Sequence, residues 1–126
     1  MKKVVIFILL IFAPLGLSAQ AKAPMISFET ETIDYGDIAK GSDGVRTFVF
    51  ENTGDAPLEI QGVRSSCGCT IPKKPEAPIA PGEKGEITVR YDTNRLGVFR
   101  KTVTVNTNVV STSIIALKIK GNVLAN

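Results

Sequence analysis

The chain has 126 residues with 15 Lys and Arg against 12 Asp and Glu, and it contains neither histidine nor tryptophan. Without histidine, Ser-His-Asp and Cys-His catalysis and the usual histidine-bearing zinc sets are excluded, and without tryptophan the residue that packs on the disulfide of antibody domains is missing. The formal charge of +3 includes Lys2 and Lys3; setting these aside leaves 13 basic against 12 acidic residues, or +1, so no nucleic-acid footprint is expected. Lys73-Lys74 and Arg100-Lys101 read as separate solvated pairs on the surface.

Residues 1–21 have the pattern of a secretory signal peptide. Lys2 and Lys3 supply the positive start, Val4 to Ala13 an apolar stretch, and Ala19-Gln20-Ala21 a small-x-small cleavage site. The apolar stretch, broken by Pro14 and Gly16, falls short of the ~20 residues of a membrane helix, and no later segment comes close. No cysteine lies between Ser18 and Pro24 to carry a bacterial lipid anchor. The expectation is a chain without a membrane span after processing, resident in the periplasm or outside the cell, with residues 22–126 as one domain. Roughly 105 residues suit a single core.

Within that domain, short β-rich runs recur between turn signals, and helical periodicity is missing. A first strand is expected from Ile26 to Glu31, followed by Tyr35-Gly36-Asp37-Ile38 with a bend at Gly36. Val45 to Asn52 alternates, with Phe48 and Phe50 on one face, and Asn52-Thr53-Gly54-Asp55 closes it as a turn. Leu58 to Arg64 reads as a strand that delivers the chain to Cys67-Gly68-Cys69. Ile87, Val89 and Tyr91 alternate with charged and polar neighbours, Val103 and Val105 continue a strand from Phe99, and Ile115, Leu117 and Ile119 form the last inward face, with Lys118 and Lys120 opposite. About seven strands in this length predict an all-β, immunoglobulin-like two-sheet β-sandwich, with a small barrel as the alternative.

Pro72, Pro75, Pro78 and Pro81 recur at every third residue, the period of a polyproline II helix. The favoured reading is a stiff crossover whose prolines, lacking an N–H, also shield neighbouring strand edges. Pro81-Gly82-Glu83-Lys84-Gly85 is turn chemistry leading into the Ile87 strand.

These segments together resemble a family, the domain of unknown function 1573, related to the hydin-like and major-sperm-protein-like branch of immunoglobulin folds. The resemblance is carried by Phe28 with Tyr35-Gly36-Asp37-Ile38, by Phe48-Val49-Phe50-Glu51-Asn52-Thr53-Gly54, by Leu58-Glu59-Ile60 and by Ser66-Cys67-Gly68-Cys69-Thr70. Pro81-Gly82-Glu83, Ile87-Thr88-Val89 and Gly97-Val98-Phe99-Arg100-Lys101-Thr102-Val103 complete it. It implies an immunoglobulin-like sandwich and an exported location, and it implies no activity.

Cys67 and Cys69 are the only cysteines and the strongest candidate site, flanked by Arg64, Ser66, Gly68 and Thr70. Three readings compete. A disulfide between them would close a three-residue loop, worth about 1.6 kcal/mol by chain entropy against ~3 for fifteen residues, so it would serve loop shape better than stability. Gly68 is the residue best suited to absorb the tightness of such a ring. As a thiol pair, the two cysteines would be interchangeable attacking and resolving groups in disulfide exchange, with Arg64, Lys73 and Lys74 near enough in sequence to lower a thiol pKa. As two soft ligands they would suit Cu(I), with Met25 the one methionine outside the signal segment. The expectation is a module without catalytic turnover or cofactor that binds an unidentified protein or cell-envelope component, with the thiol-active protein as the rival.

Overall fold

The structure is a computed structural model that describes residues 22–125. The proposed signal segment and its cleavage site lie outside the described residues. Eight strands follow one another: β1 (Ile26–Phe28), β2 (Thr32–Ala39), β3 (Val45–Asn52), β4 (Ile60–Ser65), β5 (Thr70–Lys73), β6 (Lys84–Tyr91), β7 (Gly97–Thr107) and β8 (Ile114–Leu124). They form two four-stranded sheets, ordered β1-β3-β6-β5 and β2-β8-β7-β4. This is an immunoglobulin-like sandwich, with eight strands rather than about seven.

The extra strand comes from the start of the domain. Ile26 to Glu31 is not one strand: β1 pairs antiparallel with β3, the chain crosses at Glu29–Glu31, and β2 joins the opposite sheet parallel to β8. Glu29-Thr30-Glu31 offers no apolar side chain to either inner face; Glu29 still donates its amide to the Val49 carbonyl of β3 (2.9 Å), and by Glu31 the chain has reached the other sheet, where its carbonyl accepts the Lys118 amide (2.8 Å). Gly36 does not end a strand either. It sits inside β2 at φ 70°, where the register against β8 shifts between Asp34 and Asp37, a bulge that lets the strand continue.

The inner faces are those of the alternation. Phe48, Phe50, Ile87 and Val89 from one sheet meet Val103, Val105 and Leu117 from the other, all at 0% exposure. Each such side chain contributes about 1.5–3 kcal/mol by leaving water, and among the described residues no disulfide ties a strand of one sheet to a strand of the other. Toward the β2 side, Tyr35, Tyr91 and Phe99 form an aromatic cluster in which Tyr91 and Phe99 stack at 3.8 Å. Gly121 on β8 is required beneath it, because a β-carbon there would stand 2.8 Å from Tyr35 Cβ and 2.9 Å from the Phe99 ring.

The proline series is divided between structures. Pro72 lies within β5, while Lys74–Pro78 passes along the start of β4, held where Leu58 and Ile79 exchange backbone bonds of 2.9 and 2.8 Å. Leu58 is therefore an isolated bridge and the strand proper starts at Ile60.

Candidate functional site

The Cys67-Gly68-Cys69 segment is the corner where the chain leaves the end of β4 in one sheet and enters β5 in the other. Cys67 and Cys69 are joined as a disulfide, with their Cα atoms 5.2 Å apart. Cys69 is buried at 8% exposure and belongs to the core, whereas Cys67 is half-buried. The corner is pinned from both sides. Ser66 donates its amide to the Thr102 carbonyl (2.9 Å) and accepts the Thr102 amide on its hydroxyl (3.2 Å), while the Asp92 amide donates to the Cys69 carbonyl (2.9 Å).

The flanking residues divide. Thr70 is buried, donates its amide to the Cys67 carbonyl (3.1 Å) and holds its hydroxyl 3.8 Å from Cys69 Sγ. Arg64 pairs with Thr104 on the outer face of its sheet, so it is exposed there, on the face opposite the core that receives Cys69. Gly68 lies outside the left-handed region, and an added β-carbon would meet nothing within 4 Å, so the corner does not demand glycine. That corrects the expectation that its freedom absorbs the tight ring. Met25 is remote from the cysteines: it pairs with Asn52 and Thr53 at the far end of β3, about 25 Å along the strand from the end that borders the corner. Met25 therefore adds no third sulfur to the Cys67 and Cys69 pair, and among the described residues no three His, Cys, Asp or Glu converge as metal ligands.

The corner separates two sheet edges, β4 and β5, with opposite properties. The Ser66 to Thr102 bond sets the phase of the β4 and β7 ladder, so Gly62 and Arg64 bond toward β7 while Val63 and Ser65 turn their N–H and C=O groups away. Among the described residues those outward groups have no partner. Beside the start of β4, between Glu59–Gln61 and Lys74–Pro78, runs a cleft of about 450 Å3. On β5 the bond from Asp92 to Cys69 directs Ile71 and Lys73 toward β6 and turns Thr70 and Pro72 outward. The Thr70 amide is already taken by Cys67, and Pro72 has no N–H. The expectation that proline shields an edge is met at this one residue.

The other two edges are short or blunted. On β2, the Thr30 hydroxyl accepts the Thr32 amide (3.3 Å) and donates to the Thr32 carbonyl (2.8 Å), and the bulge follows. β1 has three residues and is entered through Pro24. The open stretch beside the disulfide corner thus lies on β4, a distinction that depends on ladder phase and has no signal in the sequence.

A second hollow, of about 460 Å3, adjoins the corner on the β5 side, between the Asp43–Gly44 and Asp92–Asn94 loops. Under it the Tyr35 hydroxyl donates to the Gly44 carbonyl (2.7 Å), which also accepts the Tyr91 amide (3.0 Å). Burial pushes the Tyr35 phenol up to about 12, partly opposed by the Arg46 guanidinium lying 4.2 Å over its ring. Tyr35 is read from the sequence only as part of the Tyr35-Gly36-Asp37-Ile38 segment, and its link to Gly44 and Arg46 is not, since no motif joins the three.

Two stacked antiparallel sheets, with the second strand parallel to the last, define an immunoglobulin-like β-sandwich. The chain belongs to the family described as protein of unknown function (DUF1573), whose model matches residues 26–123. No curated protein matches it. Among solved structures it is similar to a protein of unknown function from Porphyromonas gingivalis W83, at TM-score 0.67 and 15% identity over 95% of this chain and 53% of that one. The chain thus spans about half the length of that relative. It is also similar to the ASH/PapD-like domain 7 of human CEP192, at TM-score 0.67 and 6% identity over 94% and 98% of the two chains. A third likeness is to the CsuC-CsuE chaperone and tip adhesion subunit pre-assembly complex of Acinetobacter baumannii, at TM-score 0.58 and 16% identity over 79% and 56%. At these identities the likeness is one of fold.

Proposed function

We propose that the chain is an exported immunoglobulin-like binding module, acting without catalytic turnover, that holds an extended segment of a protein or cell-envelope component along the edge of β4. The observation that carries the reading is the unpaired outward backbone of Val63 and Ser65, on a strand whose start borders a cleft of about 450 Å3. An added strand would take its affinity from main-chain bonds to these groups and its selectivity from side chains entering the cleft between Glu59 and Glu76. The disulfide corner fixes where β4 ends and so sets the register of the added strand. The CsuC-CsuE assembly supports this only as an analogy of fold, as a complex between proteins. Export rests on the sequence pattern of residues 1–21. The joined state of Cys67 and Cys69, with Cys69 in the core, favours the shape-fixing clip over disulfide exchange.

Replacing Val63 by Pro removes an outward N–H without touching a bond to β7. Capture from cell-envelope extract should therefore be lost in Val63→Pro and kept in Ile71→Thr, an exposed change on the blunted edge, with both variants melting cooperatively. Capture that survives Val63→Pro would overturn the assignment to β4. Acceleration of scrambled-substrate refolding that disappears in Cys67→Ser would overturn the module reading in favour of thiol exchange.

A further inference from the structure

The outer face of the β2-β8-β7-β4 sheet collects cations that are scattered along the sequence. Strand pairing places Arg100 directly opposite Lys120, Thr102 opposite Lys118, and Arg64 opposite Thr104. Across β8, Thr32 and Asp34 stand beside Lys118 and Lys120. Thr32, Arg100, Lys101, Thr102, Lys118 and Lys120 line one depression of about 300 Å3 with no carboxylate in its wall. Two acids border this face, Asp34 and Asp37 of β2, which line an adjoining hollow with Val98, Arg100 and Lys120; Asp34 Oδ1 is occupied by the Gly36 amide (2.9 Å). Among the described residues none of these cations lies within 4 Å of a carboxylate; the ion pair found there, Lys84 with Glu29, is on the other sheet. Two like charges facing each other across a ladder destabilise it. A chain of nearly balanced charge has therefore concentrated basic groups where they repel.

The same face carries exposed aliphatic groups. Val98 precedes Arg100 by two residues on β7 and is 77% exposed, and Leu124, on the same side of β8, is 41% exposed. A soluble acidic polymer has use for the cations alone, whereas a lipid surface can receive both, phosphates on the Arg and Lys groups and Val98 at the boundary of the acyl chains. From this juxtaposition of Arg100, Lys118 and Lys120 with Val98 on one flat sheet face, we infer that this face docks on an anionic phospholipid surface. The contact is peripheral, and it leaves the β4 edge free at the side of the sheet.

Co-sedimentation of residues 22–126, which contain both sheets and the whole core, with vesicles tests the inference. Vesicles of phosphatidylcholine and phosphatidylglycerol in equal parts should bind at least tenfold better than phosphatidylcholine alone, and the gain should vanish near 1 M salt, where the Debye length is about 3 Å. The triple change Arg100→Gln, Lys118→Gln, Lys120→Gln should weaken binding roughly a hundredfold. It should not lower the melting temperature, since it relieves a like-charge pair. Val98→Asn should weaken vesicle binding and leave retention on soluble polyglutamate unchanged. Equal binding to both vesicles, indifference to the triple change in a protein that still melts cooperatively, or tight binding to polyglutamate with none to vesicles would each overturn the lipid assignment.

Discussion

β4 and β5 leave the same disulfide corner and border the same side of the sandwich, yet one edge keeps outward donors and the other has none to offer. On β4 the outward residues Val63 and Ser65 keep free N–H and C=O groups, whereas on β5 the outward Thr70 amide is bound to Cys67 and Pro72 has none to offer. Edge strands invite pairing with other chains, and proteins normally blunt them. The lesson of the pair is that blunting here is local and selective: one proline and one turn bond close β5, and the same devices are absent next door.

The largest effect expected on this comparison is to abolish it. Val89→Asp beneath β5, or Leu117→Asp in the opposite sheet, places an unpaired charge at a position with 0% exposure and should exceed the total stability of about 5–15 kcal/mol. Either variant should lack a cooperative thermal transition, and a retained transition would show that the inward face has been misassigned.

A graded way to weaken the sandwich at the end that carries Tyr35 runs through pH. Because burial holds the Tyr35 phenol at about 12 in the folded chain against 10.0 when exposed, the unfolded state ionises first as pH rises. The stabilisation is complete below pH 10 and is lost as pH climbs through 12, by a few kcal/mol at most over the window. Urea melts of wild type and Tyr35→Phe should therefore converge with rising alkalinity, wild type falling faster, while capture along β4 persists. Parallel pH profiles would refute the role of Tyr35.

Smaller changes act on the edges themselves. Replacing both cysteines by serine should lower stability by about 1.6 kcal/mol through the lost loop closure plus about 1–3 kcal/mol for the hydroxyl placed at the core position of Cys69, read by denaturant melts, and should blur the position at which a partner strand stops on β4. Val63→Pro should cost about 1–2 kcal/mol in stability through lost packing, a modest price beside the loss of capture. Smallest in stability, within about 0.5 kcal/mol, is Pro72→Thr, which returns an outward N–H to β5. It should create a second sticky edge, visible as concentration-dependent association in sedimentation velocity, and a variant that stays monomeric would show that proline is not what closes β5.

Much of the fold was legible because burial leaves a period-two trace. Ile87 and Val89, and Leu117 and Ile119, alternate with polar residues, and Phe48 and Phe50 keep the same period around Val49; each pair faces the core as expected. The misreadings fall where this trace stops. Glu29-Thr30-Glu31 has no apolar member, so the change of sheet there could not be read. Asn52 looked like an ordinary turn residue, yet it is fully buried, donating to the Ala56 (2.7 Å) and Ile79 (2.9 Å) carbonyls and accepting the Gly54 amide (2.9 Å). Gly68 looked best suited to absorb a tight ring because it lies between two cysteines, but loop geometry leaves its β-carbon position open.

By itself, the sequence determined the all-β class, the inward residues of the main strands, and the corner where two cysteines meet, because each depends on near neighbours in the chain. Tertiary structure alone decided which edge is open and that Arg64, Arg100, Lys118 and Lys120 share one face. Both depend on ladder phase and register between strands tens of residues apart, and pairing between distant segments leaves no local pattern to read.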